Sequence, residues 1–270
     1  MTDAQTNQYL DRINLLNVNT DLEGLVALQQ HHMQAIPFEN LDVILKRGIA
    51  LEPDKLFDKV VSSKRGGYCF ELNTLYGLLL KSLGFSVRQV MGRVWLRNPE
   101  QIPPRNHLAL LVSLGGEEYV TDVGFGGLTS KVPLKVNDQS EINDHDGIVR
   151  IIPFDVNQFM IQRKVGDGWA NQYSFDYVDI SSDDIYVSNY YMSTNPKSHF
   201  YTNRFIGRYT VEGRIGLFNT ELSTRKGIEV VDKSHIPYGS AWLDTLASRF
   251  NLELDCSDAE LERLFPLTSS

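Results

Sequence analysis

The sequence predicts an α+β protein with helices first, strands in the middle and a mixed final third. Three observations carry this expectation. Apolar residues recur at helical spacing as far as Leu83, and the pattern changes to alternation at Phe85 and holds to about Tyr191. A hairpin pattern over 205–218 then precedes two short amphipathic segments. At 270 residues the chain is long for one core and suggests two or three packed subdomains.

Each element has a local reason. Thr20 with Glu23 fits a capping box, and Leu22, Leu25, Leu28 and His32 follow on one helical face. Pro37 ends that helix, because the residue before a proline is pushed out of the helical region. A second helix is expected over Cys69–Leu83, with Leu72, Leu75, Leu79 and Leu83 as its stripe and Gly84 as its stop. Strands are expected from Phe85 to Val87, Val94 to Leu96, His107 to Leu114, Tyr119 to Val123, Ile148 to Phe154 and Asn171 to Val178. Gly115-Gly116 and Gly166-Asp167-Gly168 mark turns, and the polar run Asn137 to Asp146 reads as an exposed loop. Glu212-Gly213 turns the late hairpin, Ser240 precedes a helix to Phe250, and Ser257 with Glu260 caps a short final helix.

Composition excludes several classes. The chain is 42% apolar and 22% charged, which is ordinary for a globular protein and argues against disorder or coiled coil. A net charge of −8 with no basic stripe argues against nucleic-acid binding. It also means that an anionic substrate needs a local basic patch or a ring of backbone amides. The start lacks a basic and apolar leader, and no apolar run approaches the roughly 20 residues of a membrane span. The two cysteines allow one disulfide at most and do not form a disulfide framework, so a cytoplasmic, reducing location is the simplest expectation.

The chemistry starts at Arg65-Gly66-Gly67-Tyr68-Cys69. Two glycines permit a tight backbone entry, and the thiol then lies at a helix N-terminus, where free N–H groups favour a thiolate. Taken alone, Cys69 reads equally well as a nucleophile or as a small buried hydrophobe. Cys256 lies between acidic stretches, which raise a thiol pKa and make it inert.

A thiol nucleophile is best activated by a histidine that a third group orients. His107 opens an apolar strand, and Asp122 lies on the next one. If Gly115-Gly116 is a two-residue turn, Leu114 pairs with Glu117, and counting back puts Asp122 opposite Ala109. His107 is two residues from Ala109 and so shares its face with Asp122. Such diagonal neighbours are roughly 7–8 Å apart at the backbone, within reach of a His–Asp hydrogen bond. An odd-length turn would put them on opposite faces. His31 and His32 are adjacent and cannot form a metal pair on one helix face, while His145, His199 and His235 sit in polar or loop contexts. No Cys/His cluster has zinc-ligand spacing, so no metal is expected.

These motifs resemble the arylamine N-acetyltransferase family. The resemblance covers Arg65-Gly66-Gly67-Tyr68-Cys69, His107, Asp122-Val123-Gly124-Phe125-Gly126 and Ile36-Pro37-Phe38-Glu39-Asn40-Leu41, with Ser193-Thr194-Asn195-Pro196 through Phe200 a fainter match. Tyr68 stands where phenylalanine is common in the family. The resemblance implies an N-terminal helical bundle over 1–84, a central antiparallel β-barrel over 85–195 and a C-terminal α/β lid over 196–270, around a cysteine-proteinase-like core. It implies a Cys-His-Asp triad that takes acetyl from acetyl-CoA onto Cys69 by a ping-pong route. An arylamine, arylhydrazine or arylhydroxylamine, a small-molecule acceptor, then removes it. His107 would accept the thiol proton and Asp122 would orient His107. Phe125 and Phe38 would line the acceptor pocket. Gly126, Gly127 and Thr129 would donate to the CoA pyrophosphate, a way of binding phosphate without a large basic patch. Glu39 and Arg65 look like a structural ion pair.

Two other readings use the same residues. A thiol hydrolase or transglutaminase-like enzyme also passes through a thioester, and only its acceptor differs. A binding protein that kept the scaffold would have no need of an intact triad.

Overall fold

The computed structural model describes residues 1–144 and 146–265. His145 lies outside the described residues.

The N-terminal part is helical. It contains α1 (Asp3–Arg12), α2 (Leu22–Ala35), α3 (Leu41–Leu45), α4 (Pro53–Phe57, continued by a wider turn over Asp58–Ser62) and α5 (Cys69–Ser82). Tyr9 and Leu10 of α1, Leu25 and Leu28 of α2, and Leu72, Leu75 and Leu79 of α5 form one buried cluster. Each fully buried leucine contributes roughly 1.5–3 kcal/mol relative to an exposed one. Gly84, at φ +90°, ends α5 as expected. The cap of α2 differs from the expectation. Asp21, not Thr20, accepts the Gly24 N–H at 2.8 Å, while Thr20 Oγ1 donates to the Leu83 carbonyl at 2.7 Å. A carboxylate answers the helix dipole better than a hydroxyl, which frees the threonine to tie α2 to the end of α5.

Strands β1 (Phe38–Glu39), β2 (Ser86–Val94), β3 (Arg105–Leu114), β4 (Glu117–Thr121), β5 (Leu134–Lys135), β6 (Ile142–Asn143), β7 (Ile148–Asp155), β8 (Gln158–Val165) and β9 (Gly168–Asp176) follow in the chain. Eight of these form one antiparallel sheet in the order β5-β4-β3-β2-β9-β8-β7-β6. The sheet curls so that β5, at one edge, lies beside β7. Strand β3 is buried on both faces. Ala109 and Leu111 point into the curl with Val90, Val149, Ile161 and Tyr173, while Leu110 and Val112 pack on the helices. That double burial explains the unbroken apolar run of this strand.

Helices α6 (Ser182–Thr194) and α7 (His199–Thr202) lead to β10 (Phe205–Tyr209), β11 (Arg214–Phe218), β12 (Glu221–Lys226) and β13 (Glu229–His235). A second antiparallel sheet has the order β1-β10-β11-β12-β13, so the two-residue β1 stitches the helical part to the C-terminal part. Ile206, Ile215, Leu217 and Leu222 of this sheet pack on α8 (Ser240–Phe250) through Trp242 and Leu246. Helix α9 (Asp258–Leu264) carries the Ser257–Glu260 capping box.

Two expectations fail in this region. Residues 182–191 are helical where strand was expected, because Tyr186, Val187, Tyr190 and Tyr191 give the segment a strand-like composition. The helix wins through a Ser181–Asp184 capping box and a narrow buried stripe of Ile185, Asn189 and Met192. The polar run 137–146 is not wholly exposed either. Asp144 and Asp146 are buried, and Asp144 holds the buried Arg163 guanidinium through bonds of 2.6 and 2.7 Å. Burying a charge this way is possible only with its partner in place.

Candidate active site

Cys69 is the first residue of α5 and is only 3% exposed. The turn before it needs its glycines for close approach. A Cβ on Gly66 would fall 2.0 Å from the Pro37 carbonyl oxygen, and one on Gly67 would fall 2.9 Å from Glu71 Cβ. Phe38 bridges Gly67 on one side and pairs with Gly207 of β10 on the other. The nucleophile turn, β1 and the second sheet are therefore locked edge to edge.

Beneath the turn lies a buried charge cluster. Arg65 donates to Glu39 at 2.8 and 3.0 Å and to Asp42 at 2.9 Å. Lys59 reaches Asp42 at 2.6 Å and Glu71 at 2.7 Å. The Glu39–Arg65 pair is thus one edge of a five-residue cluster. Burial pushes the Glu71 carboxyl up to about 7 against the pull of Lys59. Glu71 also accepts the Tyr68 N–H at 3.1 Å, which fastens the start of α5 to the cluster.

His107 lies on β3. The turn Gly115-Gly116 has both residues in the left-handed region, at φ +62° and +83°, and Leu114 pairs with Glu117 as the two-residue turn requires. Leu110 pairs with Thr121, so the chain places Asp122 on the His107 side of the sheet. His107 Nε2 lies 2.7 Å from Asp122 Oδ2, and both side chains are buried. With Nε2 engaged by Asp122, the His107 ring also feels the Cys69 thiol, which favours its protonated form. Cys69 Sγ also lies 3.9 Å from the Asn106 carbonyl. Burial by itself would lower the His107 pKa. The Asp122 charge and hydrogen bond, with the Cys69 contact, outweigh it and the ring is pushed up to about 10. Burial likewise works to raise Asp122, but the His107 charge and the hydrogen bonds from His107, Asn73 and Gly124 hold its carboxyl below the usual range.

Three residues of this site escaped the sequence reading. Asn73 donates to Asp122 Oδ1 at 2.8 Å and to the Leu108 carbonyl at 2.7 Å, and accepts the Val123 N–H at 3.0 Å. It stands four residues after Cys69, on the same helix face, and that spacing was a readable signal. Tyr173 packs its ring 4.6 Å from His107, from a strand far off in sequence. Gly92 makes room for both rings, since a Cβ there would fall 3.2 Å from Tyr173 and 3.7 Å from His107. Asn73→Ala would leave a buried carboxylate oxygen one donor short and a buried N–H without an acceptor. We expect roughly 2–4 kcal/mol lost in urea unfolding, since each such group costs about 1–3 kcal/mol. A variant within error of the parent would refute the bracing role.

Phe125 packs on His107 and on Tyr173, at 5.1 Å in each case, and with Phe38 lines a cleft that runs outward between the 125–129 loop and the second sheet. Gly126 and Gly127 line the same cleft, and neither N–H is used within the described chain. Gly126 has φ +71°, and a Cβ there would fall 2.8 Å from the Phe38 ring. Thr129 is buried, and its N–H donates to Tyr209 Oη at 3.2 Å. Tyr209 Oη in turn donates to the Gly127 carbonyl at 2.7 Å. Of the three expected phosphate contacts, the two glycine amides are free; the Thr129 amide is occupied, and its hydroxyl makes no hydrogen bond within the described chain. Cys256 is a free thiol that packs with the α8–α9 core and not with this site, and burial raises its pKa. His32 is buried against Tyr9 Oη at 2.9 Å. Among the described residues no group of three His, Cys, Asp or Glu is placed to hold a metal ion.

A buried Cys-His-Asp line beside an aromatic cleft can be compared with known proteins. A family model described as N-acetyltransferase matches residues 21–259. A curated relative, the arylamine N-acetyltransferase of Escherichia coli (strain K12), is 34% identical over 92% of this chain and 89% of its own. The chain belongs to the arylamine N-acetyltransferase family. The family's solved structures match the whole architecture. The arylamine N-acetyltransferase from Salmonella typhimurium superposes with a TM-score of 0.92 at 31% identity, covering 98% of each chain. The Mycobacterium marinum arylamine N-acetyltransferase, solved in complex with CoA, superposes at 0.89 with 32% identity, covering 95% of this chain and 97% of that one.

Proposed function

We propose that this chain is an acetyl-CoA-dependent arylamine N-acetyltransferase that works through a thioester on Cys69. Family membership supports the reaction class, and one observation supports the route: a buried thiol beside a His107 ring that Asp122 keeps protonated and oriented. In the first half-reaction the Cys69 sulfur attacks the acetyl carbonyl carbon. The thioester bond to CoA breaks, and the CoA sulfur leaves with the imidazolium proton. In the second, the acceptor nitrogen attacks the Cys69 thioester. His107 takes the nitrogen's proton, the C–S bond breaks, and the N-acetyl product leaves the imidazolium–thiolate pair behind. Both tetrahedral oxyanions form at the N-terminus of α5, where the Cys69 and Phe70 amides donate to no other group of the described chain.

Phe125 and Phe38 line the acceptor pocket for an arylamine, arylhydrazine or arylhydroxylamine. Gly126 and Gly127 offer their free amides, and Thr129 its hydroxyl, to the CoA pyrophosphate, while the Thr129 amide shapes the loop through Tyr209. We divide the chain at 84 and 195 into a helical bundle, a barrel and a lid, with buried clusters that cross both boundaries: Leu110 packs among the N-terminal helices, and Leu41 and Ile44 pack with α8. No helix among the described residues is long and apolar enough to cross a membrane, and we place the enzyme in the cytoplasm. Initial rates at varied acetyl-CoA and several fixed arylamine concentrations are expected to give parallel double-reciprocal lines. Lines that intersect would mean that both substrates bind before transfer, and would sink the thioester route.

A further inference from the structure

The second sheet presents one face to α8 and the other to the cleft. On the cleft face the register sets Tyr209 beside Arg214 and Arg214 beside Arg225, in a row across three strands. Both arginines line the cleft with Gly126 and Gly127. Like charges directly opposite on neighbouring strands are destabilising unless something answers them. Within the described chain Tyr209 and Asp146 pull on Arg214, neither as an ion-pair partner. Neither guanidinium has a carboxylate at ion-pair distance, and Arg214 Nε is buried with no partner. Arg225 makes one long bond, 3.4 Å, to the Ile228 carbonyl. Nearby Arg163 shows the contrast, since its charge is spent on Asp144 at 2.6 Å. Burial, with Arg225 and Arg163 adding to it, outweighs the pull of Tyr209 and Asp146 and holds the Arg214 guanidinium below its ordinary value, a cost that a bound anion would relieve.

The row has a direction. Tyr209 holds the glycine loop through the Gly127 carbonyl. Arg214 is one strand further out and Arg225 two, at roughly 4.8 Å per strand. In acetyl-CoA the order from the thioester is pantetheine, pyrophosphate, then the ribose with its 3′-phosphate. We propose that Arg214 and Arg225 form the seat of that 3′-phosphate and set the enzyme's preference for the complete carrier. This rests on the acetyltransferase reading above. Two guanidinium forks match a phosphomonoester dianion in charge and geometry. In a chain of net charge −8, they supply the local basic patch that an anionic donor needs.

The test compares two donors, acetyl-CoA and acetyl-dephospho-CoA, which differ only in the 3′-phosphate. The parent enzyme is expected to favour acetyl-CoA in kcat/KM by about tenfold or more. In Arg214→Gln, Arg225→Gln and the double variant that ratio should collapse toward one, with Arg214→Lys keeping part of it. Damage to folding lowers both donors together and leaves the ratio intact. A ratio that stays at the parent value therefore overturns the proposal. A second arm needs no variant: adenosine 3′,5′-bisphosphate should compete with acetyl-CoA more strongly than ADP does on the parent. Equal inhibition by the two overturns the proposal as well. If the parent takes acetyl from neither donor, it is the acetyltransferase reading that fails. If it takes acetyl from both with equal efficiency, only the arginine assignment fails.

Discussion

Cys69→Ser is expected to fold like the parent and to take up no acetyl group. The change replaces one small, buried side chain with another of similar shape, so unfolding free energy should move by about 1 kcal/mol or less. The chemistry changes far more. His107, pushed up to about 10, is already protonated at neutral pH and is not a free base waiting for a proton. A thiol can exist as the thiolate of such a pair; a serine hydroxyl, whose proton is far harder to remove, cannot. Turnover should fall on the order of 10⁴-fold or more. Intact-protein mass spectrometry after mixing with acetyl-CoA should find one acetyl on the parent and none on the variant. An acetyl retained by the variant would move the nucleophile elsewhere, with Cys256 the other thiol to test.

Asp122→Asn should cost nearly as much while leaving the nucleophile intact. Asn73 and Gly124 both donate to Oδ1, so the asparagine oxygen will settle there and its NH₂ will face His107. A donor then meets the imidazole nitrogen that had been donating, and the ring must change tautomer or lose the contact. The expected loss in kcat is on the order of 10³–10⁴-fold. The pH signature is equally specific. A histidine whose folded pKa lies above its unfolded value stabilises the fold fully below the unfolded value of about 6.5. That contribution disappears as pH rises through about 10. Asp122 has the opposite sign. Its contribution is present above about 3.9 and is lost as pH falls through its lowered value. The stability gap between parent and variant should thus be wide near neutrality and close as pH rises past about 10. In the variant, burial is opposed only by the Cys69 contact, and the His107 pKa should fall well below its parent value. An NMR titration of His107 follows this directly. A parent resonance that titrates near the free-imidazole value would remove the basis for the paired state.

The site residues that were legible in the sequence share one property: their partners are close in sequence or fixed by a count. A two-residue glycine turn has one register, and that register alone brings His107 and Asp122 to one face. Cys69 could be placed on a helix start because the leucine stripe begins there, and the Ser257–Glu260 box could be read because its bonds are three residues apart. What escaped depended on distant chain. Lys59, Asp42 and Glu71 join the Glu39–Arg65 pair only because α4 and α5 meet beneath the nucleophile turn. Residues 182–191 have the composition of a strand, and a capping box with three buried side chains made them a helix. Asp144 looked solvated until Arg163, on β8, gave it a buried partner.

Residue types and their spacing were enough to specify the kind of chemistry. The sequence holds a thiol at a helix start, a histidine and an aspartate in compatible register, and a glycine loop after the aspartate. These are local, and local geometry follows from glycine placement, apolar periodicity and strand counting. How the triad is held and what faces the donor depended on the folded chain. Asn73 and Tyr173 act on His107 and Asp122 across elements. Arg214 and Arg225 become a pair because β11 and β12 align there, with no acid of the described chain at ion-pair distance. The reason is the same in each case. A charge or a buried polar group takes its meaning from what surrounds it, and its surroundings exist only once the chain has folded.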